Sequence, residues 1–148
     1  MKARSKARSA ARLAAVQALY QLDMEATSLA RLLDEFHRHR LGAEIEGDQY
    51  APAETAFFDD VVQGVAARRD EIDGLLAAKL ATGWTLERLD KTLLQVLRAG
   101  AYELLARADV PTASVITEYV DVAHAFFESR EAKFVNGLLD AVAKVVRN

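Results

Sequence analysis

The apolar residues of this chain recur at intervals of three and four almost from end to end, and only two prolines, Pro52 and Pro111, interrupt them. That is the helical period, because side chains three and four apart share a helix face. Leu13, Val16, Leu19, Tyr20 and Met24 set a core-facing stripe on a first helix over 5–24, and Ala7, Ala10, Ala11, Ala14, Ala15 and Ala18 add helix propensity. Leu29, Leu32, Leu33 and Phe36 predict a second helix over 28–41. The stretch "GAEIEGDQYAP", punctuated by Gly42 and Gly47, predicts a surface loop over 42–52. Pro52 suits the first turn of a third helix over 53–69, which carries Phe57, Phe58, Val61, Val62 and Val65. A fourth over 70–81 carries Ile72, Leu75, Leu76 and Leu80, and "TGWT" interrupts it. A long fifth over 89–107 runs on Leu89, Leu93, Val96, Leu97, Leu104 and Leu105 until Pro111 forbids continuation. Ile116, Tyr119, Val120, Ala123 and Phe126 predict a sixth over 113–126. After the polar joint "FESRE", Phe134, Val135, Leu138, Leu139, Val142 and Val146 predict a seventh over 132–147. The expected fold class is all-α, a seven-helix bundle.

Composition narrows the function classes. At 148 residues and 51% hydrophobic, the chain has enough apolar material for a core without covalent staples. It has no cysteine, which excludes disulfides, zinc–thiolate sites and a cysteine nucleophile together. No apolar run approaches the roughly 18 residues of a membrane span. The N-terminus lacks the apolar stretch of a secretory signal, and its resemblance to a transit peptide ends where "AAVQALYQLDME" runs into a helix with acids. A cytoplasmic protein with no membrane contact is expected.

Charge is distributed unevenly. The formal net charge is −3, yet "MKARSKARSAAR" holds Lys2, Arg4, Lys6, Arg8 and Arg12 and no acid. The remaining 14 bases face 22 acids, a balance of −8 for the rest of the chain. Arg4, Arg8 and Arg12 lie four apart, so each drifts only about 40° around a helix and advances about 6 Å. That step is close to the phosphate spacing of an extended strand, so such a ridge can track a nucleic-acid backbone. A solvated basic tail is the plainer reading of charge alone. Segregation of the charge favours nucleic acid, because phosphate neutralisation needs local rather than global charge.

Two aromatic residues accompany the basic one. Tyr20, two turns beyond Arg12, is either a base-stacking residue or a core tyrosine with its hydroxyl at the rim. In "KFVNGLLD" the apolar period passes through Asn136 and Gly137, both poor helix formers. Close packing of another helix is the expected reason for Gly137, and for Gly64 and Gly100. Lys133 and Phe134 open the predicted seventh helix, where backbone N–H groups are free to meet an anion, so they are a candidate phosphate and base-stacking pair. Gln17 and Asn136 are candidates for hydrogen bonds to base edges. His37 and His39 lie two apart and do not share a helix face, so no metal site is expected. No phosphate-binding or nucleophile motif and no catalytic constellation is present, so neither a cofactor nor an enzymatic activity is expected.

Taken together and in order, "ARLAAVQALYQLD" (11–23), "WTLERLDKTLLQVLRAGAYELL", "YELLARADVP" (102–111) and "KFVNGLLDAV" (133–142) resemble the NusB transcription antitermination factors. The resemblance covers nearly the whole chain and is weakest in the second helix and the 42–52 loop. It implies one all-helical RNA-binding domain over 1–148, built of helical subdomains over roughly 1–69 and 70–148. It implies binding to boxA RNA of ribosomal RNA leaders, a small-subunit ribosomal protein, NusE, as partner, and entry into the RNA polymerase antitermination complex. Carried over by position, it makes Arg4, Lys6, Arg8 and Arg12 RNA-contacting, together with Tyr20 of "VQALY" and Phe134 of "KFVNG". Two places depart from the family pattern. "FFESREA" has Phe127 where a glycine is usual, and "ITEYVDVAH" has Thr117 and His124 as substitutes.

Two other readings compete. NusB-like domains precede the catalytic domain of some RNA cytosine methyltransferases, but this chain has neither a cofactor-binding α/β pattern nor a cysteine, so it would be at most a stand-alone RNA-binding unit. A helical protein-interaction module would leave the basic segment unused. A homodimer that hides the basic ridge is compatible with the sequence.

Overall fold

The computed structural model describes residues 2–39, 41 and 52–147, and among these the ordered elements are helices. They are α1 (Lys2–Met24), α2 (Leu29–His39), α3 (Pro52–Ala67), α4 (Arg69–Ala77), α5 (Lys91–Ala106), α6 (Thr112–Phe126) and α7 (Ser129–Val146), with a 3-10 turn at Leu86–Arg88 before α5. The expected 42–52 loop, with Gly42 and Gly47, lies outside the described residues except for Pro52, which opens α3. The side chains of Lys2 and Arg4 also lie outside them. No described helix is long and apolar enough to cross a membrane. Contacts divide the chain into two units, Met1–Gly64 and Val65–Asn148.

In the first unit α1 packs on α2. The inward face of α1 is made of small residues, Ala7, Ala11, Ala15 and Ala18, with Val16 and Leu19 beside them. Such side chains cost no rotamer entropy on burial. Of the expected stripe, Val16 and Leu19 face the core, while Tyr20 and Met24 are 39% and 53% exposed. Ser28 starts α2 by accepting the Arg31 N–H at 3.2 Å. Phe36 of α2 stacks on Phe58 of α3 with ring centroids 5.4 Å apart, and both rings are buried. One residue on along both helices, the His37 ring nitrogen meets the Asp59 carboxylate at 2.5 Å.

The second unit is organised around α5, which touches α4, α6 and α7. Every residue from Leu93 to Leu104 is buried, so this helix has no solvent face over three turns. A helix enclosed in this way must satisfy its polar side chains internally. Arg98 does so with a two-pronged ion pair to Asp73 of α4, at 2.8 and 2.9 Å, and it reaches Gln95 at 3.4 Å. The Tyr119 hydroxyl of α6 donates to Glu103 at 2.5 Å. Asp90 caps the start of α5 by accepting the N–H groups of Thr92 and Leu93 at 2.8 and 3.2 Å. Just before it, the Glu87 carboxyl is held below its usual range by hydrogen bonds from its own backbone N–H and from Thr85.

Gly100 has the packing role expected of it. A Cβ there would stand 2.7 Å from Leu139 Cδ1, so α7 closes on α5 over a bare backbone. Gly137 does not, because nothing lies within 4 Å of where its Cβ would be and it faces outward. The inward residues of α7 are Val135, Leu138, Leu139 and Val142, all buried where α7 meets α5 and α6, as the sequence pattern predicts. Phe126, expected on the apolar side of α6, is 40% exposed at its C-terminal end.

Candidate nucleic-acid interface

The candidate residues fall into two groups, one in each unit. On α1 the four-residue ladder through Arg8 and Arg12 continues into Ala15, Val16 and Leu19, three, four and seven residues beyond Arg12, which are buried. The ladder therefore rises along the inward side. Arg12 is only 3% exposed, and its guanidinium lies 4.8 Å from the centroid of the Phe57 ring. Arg8, half-buried, places its own guanidinium 4.7 Å from the same ring. Two cations facing one aromatic ring gain from its quadrupole. A buried guanidinium also needs such partners to offset its lost hydration. The expected solvent-facing ridge is thus corrected: Arg12 is part of the packing of α1, and Arg8 is partly so.

The outward side of α1 carries different residues. Lys6, Gln17, Tyr20 and Met24 are exposed. Their offsets of eleven, three and four residues bring them onto one helix face. This face combines a cation, a side-chain amide and an aromatic ring, and Tyr20 stands as an accessible ring rather than a core one.

The second group lies on α7. Lys133, Phe134 and Asn136 all face outward, with Phe134 37% exposed, while Val135 between them is buried. Their position in the helix differs from expectation. Because α7 begins at Ser129, Lys133 and Phe134 are its fifth and sixth residues. The Ala132 N–H already donates to the Glu128 carbonyl at 3.2 Å, so the N–H groups beyond it belong to the helical ladder and offer no anion site. What remains at this place is side-chain chemistry: Lys133 exposes an ammonium and Phe134 an aromatic ring, while Asn136, two residues beyond Phe134, exposes its amide on another side of the helix.

Phe134 also forms the wall of a groove that sequence reasoning missed. Trp84, Arg88, Leu93, Phe127 and Arg130 line it with Phe134, enclosing about 760 Å³. Trp84 is 53% exposed, and the Arg88 guanidinium lies 5.3 Å from the centroid of its ring. Arg88 also donates to the Gly83 carbonyl at 2.8 Å. Gly83 has φ of +91°, a conformation that favours glycine, and it turns the chain into the tryptophan. The visible signal was the tryptophan in "TGWT", a large aromatic set between glycine and threonine where no helical stripe would bury it.

The fold and these surfaces define a small all-helical protein with exposed aromatic and basic residues in both units. Residues 9–144 match the NusB family, and the chain belongs to it. It is 78% identical over 142 residues to the transcription antitermination protein NusB of Novosphingobium aromaticivorans, covering 96% of each chain. To the protein of the same name from Sphingopyxis alaskensis it is 63% identical over 147 residues, covering 99% of each. These relatives are named as antitermination factors and not as enzymes. Among solved structures, T. maritima NusB superposes with a TM-score of 0.78 at 30% identity, over 93% of this chain and 90% of that one. The antitermination factors NusB and NusE in complex with dsRNA give a TM-score of 0.80 at 23% identity, over 95% and 98%, a likeness of fold.

Proposed function

We propose that this antitermination factor binds boxA-like single-stranded RNA of ribosomal RNA leaders together with the ribosomal protein NusE, and in that form joins the RNA polymerase antitermination complex. The observation that carries the reading is the exposure of Tyr20 and Phe134, each on a helix that also exposes a lysine and a side-chain amide. Phosphate contacts position a strand, and base contacts specify it. Lys6 and Lys133 supply charge, with Arg8 contributing from its half-buried place and the Lys2 and Arg4 positions extending the basic segment. Arg12 acts through Phe57, by holding α1 in place. Tyr20 and Phe134 stack on splayed bases, and Gln17 and Asn136 read base edges. Stacking needs unpaired bases, so a single strand is the ligand, although a structural neighbour was solved with NusE and dsRNA.

The test is a binding titration with a labelled boxA-containing single strand, the same sequence as a duplex, and a scrambled strand, each with and without NusE. Tightest binding to the boxA strand, strengthened by NusE, is expected. Equal binding to all three would leave only non-specific charge and would overturn the reading.

A further inference from the structure

The groove beside Phe134 has no part in the proposal above. We infer that it is a pocket for an unpaired nucleobase of the bound RNA, with Trp84 and Phe134 as its stacking walls; the inference rests on the RNA-binding reading. Three aromatic residues, Trp84, Phe127 and Phe134, share this one groove, and its volume of about 760 Å³ falls within the range of small-ligand pockets. Aromatic walls accept any base, because every base has a π-face.

The rim chemistry favours a nucleotide as the occupant. Arg88 and Arg130 lie at the groove with Asp90 and Glu131, so its lining is balanced in charge and suits a neutral ring rather than a bare anion. The Arg130 side chain is 95% exposed and pairs with Glu131 only at 3.4 Å, so its guanidinium stays available at the edge for a phosphate. Lys133 stands exposed next to Phe134. A strand that stacks one base on the outer side of Phe134 therefore meets the groove at the next step along α7. Arg88, seated against the Trp84 ring and tied to the Gly83 carbonyl, holds the indole in place. A wall fixed before binding loses little rotamer entropy when a base stacks on it.

Trp84 is the only tryptophan in the chain, so its emission reports on this groove alone. The experiment titrates the full chain with a boxA-containing single strand and follows tryptophan emission beside the anisotropy of the same strand end-labelled. Expected is a quench that saturates with the anisotropy curve. Trp84→Ala should weaken binding about 5- to 150-fold, the worth of one stacked base, and Trp84→Phe should restore most of it. Melting curves of both variants should match the unmodified chain, because the ring is half exposed. If anisotropy rises while emission and the affinity of Trp84→Ala stay unchanged, RNA binds elsewhere and the inference fails alone. If anisotropy never rises, the RNA-binding reading fails and takes the inference with it. If emission responds to NusE and not to RNA, the groove is a protein-docking surface and the inference is wrong.

Discussion

The Arg147 guanidinium donates to the Leu104 carbonyl at 2.8 Å, tying the residue just after α7 to the C-terminal turn of α5. The same group reaches the carbonyls of Glu103, Arg107 and Val110 at 3.1, 2.7 and 2.7 Å, and Thr112 Oγ1 at 3.1 Å. The last carbonyls of a helix have no partner within it. One planar cation supplies that need here and fixes the α5–α6 joint as well.

Arg147→Ala should therefore destabilise the chain by about 2–3 kcal/mol, the scale of a charge-assisted hydrogen bond lost from a part-buried place. Arg147→Lys should recover little, because an ammonium lacks the guanidinium's planar fork. Urea unfolding measures both. A loss below about 0.5 kcal/mol for the alanine variant would show that water replaces the clasp.

The two glycines of the α5–α7 region should respond differently. Gly137→Ala should raise stability by about 0.5–1 kcal/mol, since alanine is the better helix former and the space is open. At Gly100 a Cβ meets Leu139 at 2.7 Å, and that side chain is fully buried, so the helix gain is opposed by crowding. Thermal melts of the pair should place Gly137→Ala above Gly100→Ala. The reverse order would mean that α7 shifts freely on α5.

Leu138 is buried where α7 meets its neighbours, and Leu138→Ala should cost about 2–5 kcal/mol. Phe134→Ala, four residues earlier on the exposed side, should leave the melting temperature nearly unchanged and weaken RNA binding by about 1–3 kcal/mol. A large fall in melting temperature with RNA binding intact would make Phe134 a packing residue.

Lysine and arginine on α1 should separate. Lys6→Ala should weaken every single strand alike and reduce the salt slope by about 0.7, the value for one phosphate on a single strand. Arg12→Ala should instead lower stability, because it removes a buried cation from the Phe57 ring. A normal melt with a reduced salt slope for Arg12→Ala would restore it as a direct phosphate contact.

Binding of NusE and RNA should be coupled by the same factor in either order, as linkage requires. Isothermal titrations of each in the presence of the other measure the factor. Equal RNA affinity with and without NusE would show the two to be independent.

The helices were legible because burial follows the three-and-four period, as in α7, where Val135, Leu138, Leu139 and Val142 are buried; α5, with twelve successive buried residues, is the exception. Errors came where the period carries no information. The first turn of α7, "SREA", is mostly polar, so the apolar pattern began the helix three residues late and gave Lys133 and Phe134 backbone chemistry that they lack. Arg12 carries a charge, which by itself suggests a place in water, yet it packs inward with Ala15, Val16 and Leu19, the buried residues three, four and seven positions on. Trp84 stands in a loop where no apolar period places it, and the residues that share its groove, Phe127 and Phe134, lie some 40 and 50 residues away along the chain.

The enclosure of α5 has a consequence for how the second unit opens. An amide from Leu93 to Leu104 cannot reach solvent by fraying of one exposed turn, since no turn is exposed. Deuterium should enter these amides only when α4, α6 or α7 departs, so they should be the slowest to label and should report the free energy of unfolding the unit as a whole. The joints at 78–90 and 107–111 should label many times faster.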